Sequence, residues 1–146
     1  MNSARDRQPE AGGLSVRGTA LVVEQDSDDL RAYSSVLRRL GFEVRTCTNY
    51  HDALRSLEEA APDFVFVNEG GPEFEARDLV QRALAHDRHT PVVVLAKTVN
   101  MACYLEAMQL GAVDYVEKPL TAAKIEYLVT THVPLARIAR ARGASI

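Results

Sequence analysis

Apolar and polar positions follow two rhythms along this chain, a short apolar run and then a helical stripe, repeated five times. Ala20 to Val23 is apolar and ends in polar Glu24-Gln25-Asp26-Ser27. Leu30, Tyr33, Leu37 and Leu40 then recur at +3, +4 and +3, the spacing of one helical face. Asp26 or Ser27 suits the N-cap, Asp28 and Asp29 suit the positive end of the helix, and Gly41 suits its stop. Phe42, Val44 and Thr46 alternate with Glu43, Arg45 and Cys47, which predicts an edge strand with one exposed face. Asn49 is placed to cap a second helix that buries Ala53, Leu54 and Leu57, and Pro62 ends the unit.

Phe64-Val65-Phe66-Val67 is unbroken and apolar, as a central strand covered on both faces must be, and it stops at Asn68. After the loop Glu69-Gly70-Gly71-Pro72, a third helix is predicted from near Glu73, burying Ala76, Leu79, Val80 and Ala83. Pro91 opens a fourth run, Val92 to Leu95, and a helix follows from about Asn100 to Leu110, stopped by Gly111. A fifth strand covers about Ala112 to Val116. Lys118-Pro119 interrupts, and a fifth helix uses Ile125, Leu128, Val129 and His132 before Pro134. Alternating strands and helices imply parallel strands joined by right-handed crossovers. The expected fold is α/β, an open, doubly wound five-stranded parallel sheet with helices on both faces. Sites in such sheets lie at the carboxyl ends of strands. Those ends carry Glu24, Gln25 and Asp26, then Asn68, then Ala96 and Lys97, then Lys118.

Composition narrows the function. The chain has 146 residues, 47% apolar and 25% charged, which suits one folded domain rather than a disordered chain. The net charge of −3 does not call for nucleic acid or an anionic membrane. No apolar run approaches the roughly 18 residues of a membrane span. Residues 1–18 are rich in Gly, Pro, Arg and Ser without an apolar core, and read as a flexible leader, not a signal peptide. Residues 19–133 form the domain and 134–146 a tail carrying Arg137, Arg140 and Arg142. That tail reads as a solvated segment, a linker stub or an arm for an acidic partner, and three arginines are a weak footprint for nucleic acid. Cys47 and Cys103 form no CxxC and read as reduced packing residues of a cytoplasmic protein. GxGxxG, GxxxxGK[ST] and GxSxG are all missing, so no enzyme is expected. Glu69, Glu73 and Glu75 make Gly70-Gly71 unsuited to phosphate, and His86 and His89 read as a solvated loop rather than metal ligands. His51 and His132 stand alone, as structural or exposed residues.

A strand LVV followed by acidic residues, a strand ending NEGGP, the run VVVLA and the stretch GAVDYVEKPL together resemble the receiver domain of two-component response regulators. The resemblance covers about residues 18–133, and Gly111 through Pro119 is its most specific part. It implies a flavodoxin-like sheet of order 2-1-3-4-5. It also implies a phosphorylation site whose positions here are degenerate. Glu24 and Gln25 stand where two acidic residues hold Mg²⁺. Asn68 stands at the phosphoacceptor Asp, and Ala96 at the Ser or Thr that receives the phosphoryl oxygen. Lys118 and the switch aromatic, Tyr115, are retained, and a cis peptide before Pro119 is implied, although the sequence permits either isomer.

The chemistry of these replacements sets the expectation. A carboxamide is a poor nucleophile where an acyl phosphate needs a carboxylate. Mg²⁺ wants one or two carboxylates in an octahedral oxygen shell, and Glu24 alone matches, with Asp26 as a possible rescue or a helix cap. No metal and no cofactor are therefore expected, and Lys118 is expected to pair with Glu24. The reading is a pseudo-receiver in phosphorelay signalling that acts through a protein partner or a homodimer. The resemblance places that contact on the face of helix 4, strand 5 and helix 5. Met101, Tyr104 and Met108, with Tyr127 and Leu128, are the candidate surface, and Leu105 and Ala102 the buried side of helix 4. Packing of the Met101-Tyr104-Met108 stripe against the sheet stays open. Two alternatives stand beside this reading: a small-ligand or divalent-metal site at Asp26, Glu24 and Lys118, and the receiver fragment of a longer DNA-binding regulator.

Overall fold

The computed structural model describes residues 18–133. Five strands alternate with five helices: β1 (Gly18–Val23), α1 (Ser27–Arg39), β2 (Phe42–Cys47), α2 (Tyr50–Glu59), β3 (Phe64–Asn68), α3 (Arg77–His86), β4 (Val92–Ala96), α4 (Met101–Leu110), β5 (Asp114–Glu117) and α5 (Ala122–His132). All neighbouring strands pair in parallel, in the order β2-β1-β3-β4-β5. This is the doubly wound, flavodoxin-like sheet expected above.

Residue parity builds the two cores. Side chains of successive strand residues point to opposite faces. Leu21, Val23, Val65, Val67, Val92 and Val94 therefore meet Ala53 and Leu57 of α2, Leu79, Val80 and Ala83 of α3, and Cys103 and Ala107 of α4. The other parity, Ala20, Val22, Phe64, Phe66, Val93 and Leu95, meets Tyr33 and Leu37 of α1 and Ile125, Leu128 and Val129 of α5. Phe66 anchors this second layer, tilted against Phe64 at 5.0 Å between centroids and met edge-on by Tyr33 at 6.5 Å.

Local chemistry starts most helices where the sequence predicts. Asp26, Asn49, Asn100 and Thr121 cap α1, α2, α4 and α5, each accepting the backbone N–H three residues on. Gly111 ends α4 in the left-handed region at φ 111°.

Three expectations need correction. α3 starts at Arg77, not near Glu73. Its N-cap, Ala76, offers no side-chain acceptor, and residues 70–76 are spent on a loop that buries Phe74 at φ 53°. β5 is Asp114–Glu117 rather than Ala112–Val116, because the chain leaves the Gly111 turn and first pairs the Val113 N–H with the Val92 carbonyl. β2 lies at the sheet edge, but its outer face is partly covered. The Arg45 guanidinium bonds the Ser56 and Ala60 carbonyls at the end of α2, while Thr46 is exposed and Cys47 half-buried.

The chain runs from β1 out to β2 and returns to β3 on the other side of β1. The switch in strand order thus lies between β1 and β3, and a crevice opens at their carboxyl ends. Glu24 and Asn68 stand there. The Lys118–Pro119 peptide is cis.

Candidate functional site

The rim is assembled from three strand ends. Glu24 follows β1, and its N–H to the Cys47 carbonyl continues the ladder and leaves its side chain fully buried. Lys118 follows β5, with its N–H held by the Ala96 carbonyl at 2.8 Å. Its ammonium donates to Glu24 Oε1 and to Asp29 Oδ2, both at 2.9 Å. Glu24 Oε2 accepts from the Asp26 N–H at 2.9 Å and from Asn68 Nδ2 at 3.1 Å. The same Asn68 amide donates to Gln25 Oε1 at 3.1 Å, and the Tyr50 hydroxyl donates to the Asn68 carbonyl at 2.6 Å. Burial pushes the Tyr50 phenol up to about 12, so it is a neutral donor.

The electrostatics follow from these bonds. Burial works against the charge on Lys118, but the bonds from Glu24 and Asp29 outweigh it and raise its pKa. Asp26 is held low, chiefly by the Asp29 N–H that it caps. Ala96 is fully buried at the end of β4 and brings no hydroxyl to the rim. Glu24 therefore already accepts from an ammonium, a backbone N–H and an amide. Gln25 is neutral, and Asp26 serves as a cap. Among the described residues, no group of three or more His, Cys, Asp or Glu is arranged to hold a metal. This donor set does not suit Mg²⁺, which needs free carboxylate oxygens.

A second cluster lies beside the first, and it buries Glu69, which the sequence places as a charge in the loop after the third strand. Glu69 continues the parity of Val65 and Val67 and so turns into the α2–α4 layer, where it is 4% exposed. The Tyr115 hydroxyl donates to Glu69 Oε1 at 2.6 Å and accepts from the Asn100 N–H at 3.1 Å. Tyr104 meets the Tyr115 ring edge-on at 5.7 Å. Burial raises the Glu69 carboxyl, and burial with the bond to Glu69 raises the Tyr115 phenol. The missed signal was an acid placed on the buried parity of a fully apolar strand.

The candidate surface is only partly as expected. Met101 (62% exposed), Tyr104 and Leu105 (51%) are exposed on α4, and Tyr127 is exposed on α5. Met108 is half-buried against the core, and Leu128 is fully buried, so Leu128 leaves the surface. Leu105 and Ala102 face solvent instead of the core, because the buried stripe of α4 runs through Cys103 and Ala107. Arg137, Arg140 and Arg142, with the rest of the tail and the leader before Gly18, lie outside the described residues. No helix is long and apolar enough to cross a membrane among the described residues.

Comparison with known proteins places this geometry. Residues 20–130 match the family model of the response regulator receiver domain. The chain is 34% identical over 105 residues to the transcriptional regulatory protein PrrA of Mycobacterium tuberculosis, covering 72% of this chain and 45% of that protein. It is 30% identical over 133 residues to the protein-glutamate methylesterase/protein-glutamine glutaminase 3 of Rhodospirillum rubrum, covering 85% of this chain and 36% of that enzyme. The chain thus spans less than half the length of these relatives. A response regulator receiver domain protein of Clostridium thermocellum shares the fold, with a TM-score of 0.72 at 23% identity over 82% of this chain and 97% of that one. The chain belongs to the response regulator receiver domain family of two-component systems.

Proposed function

We propose that this receiver domain works as a pseudo-receiver, signalling in the cytoplasm by protein contact and without phosphoryl transfer or Mg²⁺. The observation that carries the reading is Asn68. At the end of β3 it offers a carboxamide, and that amide is engaged with Glu24 and Gln25. Forming an acyl phosphate requires a carboxylate nucleophile. Two further features support it: Ala96 has no hydroxyl to receive a phosphoryl oxygen, and Lys118 is bound to two carboxylates. Receiver domains act on partner proteins such as kinases and effector domains. The exposed Met101, Tyr104 and Leu105 of α4, with Tyr127 of α5, supply apolar contact area for a partner or a second copy.

The test is chemical. With acetyl phosphate and Mg²⁺ the intact mass is expected to stay unchanged, and BeF₃⁻ with Mg²⁺ is expected to leave the ¹H–¹⁵N spectrum as it was. A phosphoryl adduct, or saturable shifts centred on residues 24, 68 and 118, overturns the reading. A second reading makes this domain the receiver part of a longer DNA-binding regulator. It is favoured by the 45% of PrrA that the match covers. A transcript whose reading frame continues into a DNA-binding domain supports it, and a frame that stops at Ile146 removes it.

A further inference from the structure

Beside the rim lies a cavity of about 410 Å³, between the loop after β3 and the loop after β4. Glu24, Gln25 and Lys118 do not line it; Glu69, Gly70, Gly71 and Pro72 face Lys97 and Val99 across it. A space of this size takes a small organic group. Its walls are more apolar than polar: Pro72, Val99 and the two glycines are joined there by Asn68, Thr98 and Asn100.

Two full charges line the cavity, and they differ in kind. Lys97 is exposed, and its charge acts on Asp26 across the rim. Glu69 is 4% exposed, and none of the ion pairs among the described residues includes it. Its side-chain partner is a neutral donor, the Tyr115 hydroxyl, and Glu75 adds negative charge nearby. A buried carboxylate without a countercharge is costly, and a cation that reaches it offsets that cost. An anion is repelled by Glu69 and Glu75. A divalent metal ion finds too few ligands, because the described residues form no cluster of three or more metal-binding side chains. A guanidinium or ammonium head on an apolar stem suits both the charge and the walls.

We propose that this cavity is a binding site for an organic cation, a guanidinium or ammonium group on a short apolar stem, with Glu69 as its counter-ion. The site is coupled to the surface. The carboxylate that meets the cation also holds the Tyr115 hydroxyl. Tyr115 in turn accepts the N–H of Asn100, the N-cap of α4, and touches the exposed Tyr104. Filling the cavity competes for the Glu69–Tyr115 bond and so reaches the α4 face. The head group can come from a free small molecule or from an Arg or Lys side chain of a docking protein.

The ¹⁵N-labelled chain is titrated with n-propylguanidinium chloride, with the capped tripeptide Ac-Leu-Arg-Leu-NH₂, and with n-propylurea as the uncharged isostere. Saturable shifts are expected for the amides of Glu69 to Gly71 and Val99 to Asn100, followed by Tyr104. The urea is expected to produce none. Glu69→Gln keeps an oxygen for Tyr115 and is expected to weaken the cation about tenfold, whereas Lys97→Ala leaves or tightens it. Tighter binding of the free cation supports a small-molecule source, and tighter binding of the peptide supports a partner's side chain. The proposal is overturned by unshifted spectra with both cations, by equal response to the urea, or by undiminished affinity in a folded Glu69→Gln variant. The BeF₃⁻ titration is a separate arm. A response there with an intact cation response overturns the phosphate-free reading alone.

Discussion

Lys118 holds two carboxylates with one ammonium, and Glu24 among them is fully buried. Removing the cation leaves Glu24 charged, desolvated and short of a partner. Lys118→Met is expected to cost about 3–5 kcal/mol in urea unfolding at neutral pH. Adding Glu24→Gln should recover much of that loss, because the two residues are coupled. A single-variant cost below about 1 kcal/mol would place Lys118 among weak surface pairs. Glu69 makes a pH-dependent prediction. Burial raises its carboxyl above the ordinary value of 4.5, so the folded state binds the proton more tightly than the unfolded chain. The stability contributed by that proton is complete below 4.5 and is lost as pH rises through the raised value. Glu69→Gln cannot lose it. The variant should therefore gain on the wild type between pH 4 and pH 7 in unfolding titrations, and a constant difference across that range would contradict the assignment.

At the level of elements, all five helices were legible, and the three starts that the sequence marked carry a polar cap. Asp26, Asn49 and Asn100 mark their helices in the sequence, because the cap is a local bond to a residue three positions on. Ala76 marks nothing, so the start of α3 was placed too early. Asn49→Ala is expected to destabilise the domain by about 1 kcal/mol and to speed hydrogen exchange at the Asp52 amide that it now holds at 2.8 Å. Unchanged exchange there would mean that packing of Ala53 and Leu57 alone fixes the start of α2. The edge position of β2 was also legible from its alternation, but Arg45 folding back onto α2 was not, since that bond joins two elements.

For the whole molecule, the apolar side chains exposed on α4 and α5 are the surface that a protein partner would cover. Met101→Glu changes an exposed side chain and is expected to leave stability within about 0.5 kcal/mol. If the proposed α4 contact joins two copies, the wild type should associate with concentration in sedimentation equilibrium and the variant should not. An association that survives the new charge lies on another face.

The sequence by itself determined the five-fold strand and helix order, the two buried parities of β1, β3 and β4, and the carboxamide at the end of β3. Those features are written in residue type and in periods of 2 and 3.6, which need no distant partner. The sequence already paired Lys118 with Glu24, but only tertiary structure brought Lys118 to Asp29 across 89 residues, and Tyr115 to Glu69 across 46. It also chose the buried side of α4. That helix is apolar almost all round, so its pattern names no inner face, and contact with α3 and β5 turns Cys103 and Ala107 inward while Leu105 stays in water.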